Sequence, residues 1–135
     1  MYEGAVTFDE PAHTAEQAAA AIGVEVGAIV KSLVFLRGET PVMVLCSGAN
    51  MVDNEALGLT RASARLVRDV TGQPIGGVAP YGHPQQLETL VDEDLLTHDE
   101  VWAGAGDPNK VFPIAPVDLL RKTGGTPARV RVRSA

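Results

Sequence analysis

Two stretches of this chain carry groups that could do chemistry. The first is a lysine inside an apolar run, Ala28-Ile29-Val30-Lys31-Ser32-Leu33-Val34-Phe35. Burying an ammonium costs several kcal/mol unless it meets a partner or a water-lined cleft. Lys31 is therefore either a functional cation or an edge-strand residue whose stem covers apolar surface while its head reaches solvent. The second stretch is the loop 71–83, TGQPIGGVAPYGH. It holds four glycines and two prolines, where a simple connector needs one or two such residues. Gly76-Gly77 leaves backbone N–H groups unshielded by side chains, and Pro80 fixes the chain shortly afterwards. Rigidly held amides suit a developing oxyanion or a positioned water. The same residues can also simply make a tight turn.

Other arrangements are excluded. The three histidines, His13, His83 and His98, stand far apart beside the single Cys46, so no metal-ligand spacing exists. Gly72 to Gly77 is not followed by Lys-Ser/Thr, and neither G-x-G-x-x-G after a strand nor G-x-S-x-G occurs. Asp92, Glu93 and Asp94 are adjacent in sequence, which points them in different directions and makes a poor acid/base pair. A reaction here is expected to run without a metal, a cofactor or a protein nucleophile.

The elements that must position these groups are legible in outline. Thr14-Ala15-Glu16-Gln17 fits a capping box, opening an alanine-rich helix to Ile22 that Gly23 ends. A turn of helix over Glu25–Ala28 leads to strands over Ile29–Leu36 and Pro41–Cys46, joined by a turn at 37–40. Both strands are nearly continuous apolar runs, as for strands covered on both faces. A short helix is predicted over Asp53–Leu57, closed by Gly58. Ser63 caps another through Val70, with Leu66, Val67 and Val70 inward and Gly72 at its end. After the loop come short strands at about 87–91, 101–105 and 110–114, then a helix over Pro116–Lys122 with Gly124-Gly125 as its exit. The tail ARVRVRS alternates and reads as an edge strand with its arginines facing water.

Composition fits this picture. With 135 residues, 45% hydrophobic and 21% charged, the chain is expected to form a single compact α/β domain with a mixed sheet over residues 1–135. Aromatics are only 4%, so aliphatic side chains must fill the interior. Cys46, in an apolar setting, is expected to be a buried thiol in a reducing compartment. The start, MYEGAVTFDEPAHT, has neither the basic opening nor the apolar core of a signal peptide, and no stretch approaches the roughly 20 apolar residues of a membrane span. A cytoplasmic location is expected, with no membrane partner. The net charge of −6 argues against a general nucleic-acid binder and against DNA. Arginines nonetheless gather at 61–68 and at Arg129, Arg131 and Arg133, so one basic face is compatible with the total.

Three segments carry a resemblance: VEVGAIVKSLVF, TGQPIGGVAPYGH and VWAGAGDPNKVFPIAPVDLLRKTGG. Together, in order and spacing from about Thr14 to Gly125, they resemble the YbaK-like aminoacyl-tRNA deacylases, which are related to the editing (insertion) domain of bacterial prolyl-tRNA synthetases. The resemblance implies a compact α/β fold with a mixed, barrel-like sheet flanked by helices. It also implies that Gly76-Gly77-Val78-Ala79-Pro80 is the family's Gly-x-x-x-Pro loop over the 3′-terminal adenosine and aminoacyl ester. Lys31 falls on the family's active-site lysine. Gly104-Ala105-Gly106 stands where many relatives have Ser-x-Gly, and Asp107-Pro108-Asn109 replaces the basic pair of the cysteine-editing branch.

What the resemblance implies is a freestanding trans-editing hydrolase that removes a small amino acid from the 3′ acceptor end of mischarged tRNA, with an aminoacyl-tRNA synthetase as a further partner. Lys31, Gly76 and Gly77 would be its catalytic groups. Val78, Ala79, Pro80, Gly104 and Gly106 would bind substrate, and His83 would either touch it or pack the loop. The alternative is a catalytically weak module of the same fold that binds tRNA or an aminoacyl-adenosine-like ligand.

Overall fold

The structure, a computed structural model, describes residues 2–132. Its N-terminal helix α1, Ala15–Ile22, starts as its sequence requires. Thr14 Oγ1 accepts the Gln17 N–H at 3.1 Å and Gln17 Oε1 accepts the Thr14 N–H at 3.2 Å, so two orphan donors of the first turn are satisfied reciprocally. Gly23 ends it in the left-handed region, at φ +87°. The 3₁₀ turn Val26–Ala28 then delivers the chain into strand β2, Ile29–Arg37, the N-terminal strand β1 being Val6–Thr7.

β2 and β3, Thr40–Ser47, form an antiparallel hairpin in unbroken register from Val30 opposite Ser47 to Arg37 opposite Thr40. The two-residue turn needs a positive φ, which Gly38 supplies at +63°. Val42 to Cys46 of β3 are fully buried. Alternation divides them: Met43 and Leu45 enter one core with Val67, Val91 and Phe112, while Val42, Val44 and Cys46 enter another with Phe35, Leu59 and Val130. A strand with a core on each face has no polar side, hence the continuous apolar run.

Around this hairpin the sheet is mixed. β5, Glu88–Asp92, runs parallel to β3, and β8, Thr126–Ala128, runs parallel to β5. On the other side, β6, Val101–Gly104, runs parallel to β2, then pairs antiparallel with β7, Lys110–Ile114, which carries β1. The order is β1-β7-β6-β2-β3-β5-β8, with β4, Thr60–Arg61, attached to β2. Helices α2, Ala64–Thr71, capped by the Ser63 hydroxyl, and α3, Pro116–Thr123, complete the expected α/β arrangement.

The pairing of β2 on its second edge is incomplete, and that fact locates the site. β6 covers only Ile29 and Val30, and β4 covers only Phe35 and Leu36. Between them Lys31, Ser32 and Leu33 have no strand neighbour on that edge among the described residues and are half-buried. Lys31 thus lies on an interior strand at a gap, rather than on an edge strand.

Two expectations are corrected. Residues 53–57 form overlapping hydrogen-bonded turns, not a helix: Leu57 N donates to Asp53 O, Gly58 N to Glu55 O and Leu59 N to Asn54 O. The Asp53 N–H donates to Val130 O at 2.8 Å. The edge strand of the tail sits earlier, at 126–128. Val130 is fully buried, and Arg131 turns back to Glu93 and Asp94, each at 3.1 Å. Arg133 lies outside the described residues.

Candidate active site

The gap in β2 opens into two adjoining cavities of about 390 and 310 Å³. Both are lined by Lys31, Ser32, Leu33, Ile75, Gly76 and Val78, so they are two lobes of one cleft with Lys31 at the junction. The first lobe continues toward His13, Trp102 and Lys110, the second toward Met51, Arg61 and Val67. Each is within the size range of small-molecule sites. A more open hollow of about 750 Å³ beside β1 and α1 shares none of the loop residues and contributes Asp9 and Glu10 instead.

Lys31 Nζ donates a hydrogen bond to the backbone oxygen of Asn50. That residue is itself clamped, its Nδ2 donating to Asp92 Oδ2 at 2.9 Å and to Asp94 Oδ2 at 2.7 Å. Asp92 is fully buried and accepts two further N–H donors, from Ser47 at 3.0 Å and Asp94 at 2.9 Å. A buried carboxylate is tolerable only with such a set of donors. Cys46 lies across the hairpin from Lys31; burial pushes its thiol up to about 12, so it stays protonated and inert. The expected buried thiol is therefore present.

The loop after α2 is held at both ends. Thr71 Oγ1 donates to Val67 O at 2.6 Å, and Gln73 Oε1 accepts the Ala79 N–H at 2.9 Å. Downstream, Tyr81 packs against Tyr2 and Phe112, with ring centroids 5.4 and 5.9 Å away. Between these anchors Gly77 N donates to Pro74 O at 3.0 Å, closing a turn that needs the positive φ of Gly76, +89°. The Gly77 amide is therefore engaged in the loop itself. The N–H groups of Gly76 and Val78, two residues that line the cleft, have no protein acceptor among the described residues.

The small residues at 104–106 have a steric cause other than pocket size. A Cβ on Gly104 would lie 3.1 Å from Val78 O, and one on Gly106 would lie 2.8 Å from Gln73 Nε2, on backbone already at φ +96°. A Cβ on Gly77 would meet Pro108 N at 2.8 Å and Asp107 C at 2.9 Å. These glycines let two loops pass over one another at the cleft. Gly104 also lines the first lobe, whereas Gly106 does not.

Of the residues singled out in the sequence, the structure brings Lys31, Gly76, Val78 and Gly104 to the cleft. Gly77, Ala79 and Pro80 are buried and line neither lobe. His83 lines a separate hollow with Tyr81 and Lys122, and its Nε2 donates to Ala79 O at 2.7 Å. Burial lowers its pKa from the usual imidazole value, the Ala79 hydrogen bond opposing that shift. This is a loop-packing histidine. Ser32 is a residue of both lobes that the sequence reading passes over, and its buried hydroxyl has no hydrogen-bond partner among the described residues. Its only sequence signal was a second polar residue in an apolar strand. Asn50, Asp92 and Asp94 were missed because their contacts are long-range.

Among the described residues no group of three or more His, Cys, Asp or Glu side chains is gathered as metal ligands would be, and no helix is long and apolar enough to cross a membrane. The architecture matches solved proteins. A crystal structure titled as that of a candidate trans-editing enzyme for prolyl-tRNA synthetase superposes with a TM-score of 0.90 and 41% identity, covering 96% of this chain and 86% of that one. The candidate Cys-tRNA(Pro)/Cys-tRNA(Cys) deacylase EbsC of Enterococcus faecalis is 27% identical over 89% of this chain and 78% of its own length. The proline–tRNA ligase of Latilactobacillus sakei is 28% identical over 75% of this chain, which corresponds to 19% of the ligase. Residues 9–122, the span from the approach to α1 through most of α3, match the family described as the aminoacyl-tRNA editing domain, and this chain belongs to that family.

Proposed function

We propose that this chain is a trans-editing deacylase: it hydrolyses the ester joining an amino acid to the 3′-terminal adenosine of a mischarged tRNA. The observation that carries the reading is the junction of the two lobes. There Lys31, docked on a carbonyl and not on a carboxylate, meets Gly76 and Val78, whose N–H groups have no protein acceptor among the described residues. A phosphate or ribose beside Lys31 and a carbonyl oxygen near the Gly76 and Val78 amides would take up these donors.

In the proposed reaction, water adds to the ester carbonyl carbon and the amides of Gly76 and Val78 stabilise the oxyanion. Collapse breaks the bond to the ribose oxygen, which leaves with a proton. The products are free amino acid and tRNA with its terminal diol restored. His13, Glu16 and Asp107 line the first lobe but not the second; the vicinal ribose hydroxyl, which the substrate itself carries beside the ester, serves as the proton relay. No metal is called for. The family match and the solved relative support action on aminoacyl-tRNA. The likeness to a proline–tRNA ligase supports such a synthetase as source of the substrate and as partner.

The second lobe is walled by Val34, Phe35 and Val67. An apolar wall discriminates mainly by refusing what is too large, at about 1–3 kcal/mol per methylene. Small amino acids are therefore the proposed substrates. The test is hydrolysis of alanyl, seryl, cysteinyl, prolyl and phenylalanyl esters on one tRNA(Pro) body. Cleavage of the small esters with the phenylalanyl ester spared is expected. Hydrolysis of none overturns the function, and a phenylalanyl preference overturns the size argument.

A further inference from the structure

The cleft explains Lys31 as a ligand for substrate, but not why its ammonium is docked on Asn50. Three polar residues with no place in the reaction, Asp92, Asp94 and Arg131, lie behind that contact. The Asn50 amide nitrogen has two protons, and each goes to a different carboxylate, Asp92 and Asp94. Arg131 Nη1 closes the frame from outside by pairing with Asp94 Oδ1 at 3.1 Å. The backbone on either side of Asn50 is tied as well. Asn50 N donates to Ser47 O at 2.9 Å, and Val132 N donates to Met51 O at 2.9 Å.

We propose that Asn50 is the positioning residue for Lys31: clamped by Asp92 and Asp94 and locked by Arg131, its backbone carbonyl holds the ammonium at the junction of the two lobes. The proposal rests on Lys31 acting in the deacylation. A flexible four-carbon side chain loses rotamer freedom when substrate fixes it, and a preformed dock removes that loss from the binding step. The choice of a carbonyl also has a reason. A carboxylate would hold the ammonium in an ion pair that a substrate phosphate must displace. A carbonyl fixes it by one of its three N–H donors and leaves the charge uncancelled. The two acids sit one step further back, where they fix Asn50 instead of neutralising Lys31. The C-terminal segment, expected from sequence to show its arginines to water, becomes part of the scaffold of the site.

The test is a double-mutant cycle, reading single-turnover kcat/KM on whichever of the five esters the wild type cleaves fastest. Asn50→Ala is expected to lower it about tenfold and Arg131→Ala about threefold. Asp94→Asn, which keeps an acceptor for Asn50, should retain more activity than Asp94→Ala. In a Lys31→Ala background, Asn50→Ala and Arg131→Ala should each change the rate less than twofold, because they act through the missing ammonium. A purely architectural role predicts that the losses persist in full on that background, which would overturn the proposal. So would wild-type rates for Asn50→Ala and Arg131→Ala while Lys31→Ala is impaired. A Lys31→Ala protein as active as wild type overturns the reading of the site itself, and the positioning role with it. Should Asn50→Ala fail to fold, Arg131→Ala decides the matter: its side chain is 29% exposed at the outer end of the frame.

Discussion

Gly76 and Gly77 are adjacent, yet the structure separates what an alanine would do at each. At Gly77 the backbone conformation is open to any residue, but the added methyl would lie 2.8 Å from Pro108 N and 2.9 Å from Asp107 C. Those are backbone atoms and cannot rotate away. Ordinary carbon contacts are about 3.5–4.0 Å, so the loops 73–80 and 105–109 must part by on the order of half an ångström or more. Overpacking of this kind costs about 1–3 kcal/mol. A loss of about 2 kcal/mol lowers Tm by on the order of 6–10 °C in a domain of this size. The displacement also carries the Val78 amide off its position, so kcat should fall more than tenfold. At Gly76 no atom of the described residues lies within 4 Å of the new methyl, and the left-handed φ of +89° opposes it, at about 1–2 kcal/mol. Thermal melts of both variants, with single-turnover kinetics on Gly77→Ala, make the comparison. Wild-type Tm and rate in Gly77→Ala would refute the account of two interlocked loops.

Three further outcomes follow from the same geometry. The lowered pKa of His83 means that its protonation favours the unfolded chain. Its contribution to stability is complete above the unfolded value, about 6.5, and is lost as pH falls toward the lowered folded value. A urea titration series should show less acid destabilisation below neutrality in His83→Gln than in wild type. Equal pH dependence would contradict the burial of the ring. Cys46, a protonated buried thiol, should resist iodoacetamide at neutral pH in the native protein and react in urea; rapid native labelling would contradict its setting. Arg65 and Arg68 are exposed on α2 beside the Arg61 end of the cleft. Neutralising one that contacts a tRNA phosphate should flatten the salt dependence of binding by about one unit of slope. Unchanged slopes for both would place the acceptor stem elsewhere.

The parts of the fold that the sequence revealed are those fixed locally. Thr14 with Gln17, Ser63, and the glycines at 23, 72 and 124 each act within one turn of their own helix, so their residue types announce the boundaries. The β2–β3 hairpin was legible for the same reason. Asp53–Leu57 departs from the expected helix because its hydrogen bonds differ in span, Leu57 to Asp53, Gly58 to Glu55 and Leu59 to Asn54, so no regular ladder propagates, and residue types alone do not show that. Lys31 stood out by chemistry alone, as a cation in an apolar run, whereas its dock did not. Asn50 lies 42 and 44 residues from Asp92 and Asp94, and Arg131 lies 37 residues from Asp94. From sequence Asp92 and Asp94 read only as members of a poor acid/base pair, whereas the fold puts the Asn50 amide between them. Gly104 and Gly106 enter the site reading only through the resemblance, because the atoms they pass closely, Val78 O and Gln73 Nε2, are distant in sequence.

The claim on which the account turns is that Lys31, at the junction of the two lobes, binds the reacting end of an aminoacyl-tRNA. Its most direct measurement is single-turnover deacylation of alanyl-tRNA(Pro) by wild type, Lys31→Ala and Lys31→Arg, with circular dichroism confirming the fold of each. The account predicts at least a hundredfold loss for Lys31→Ala, about 2.7 kcal/mol of transition-state stabilisation. It predicts a clear loss for Lys31→Arg, whose planar guanidinium cannot take the dock on Asn50 in the same way. A folded Lys31→Ala protein within threefold of the wild-type rate would contradict it.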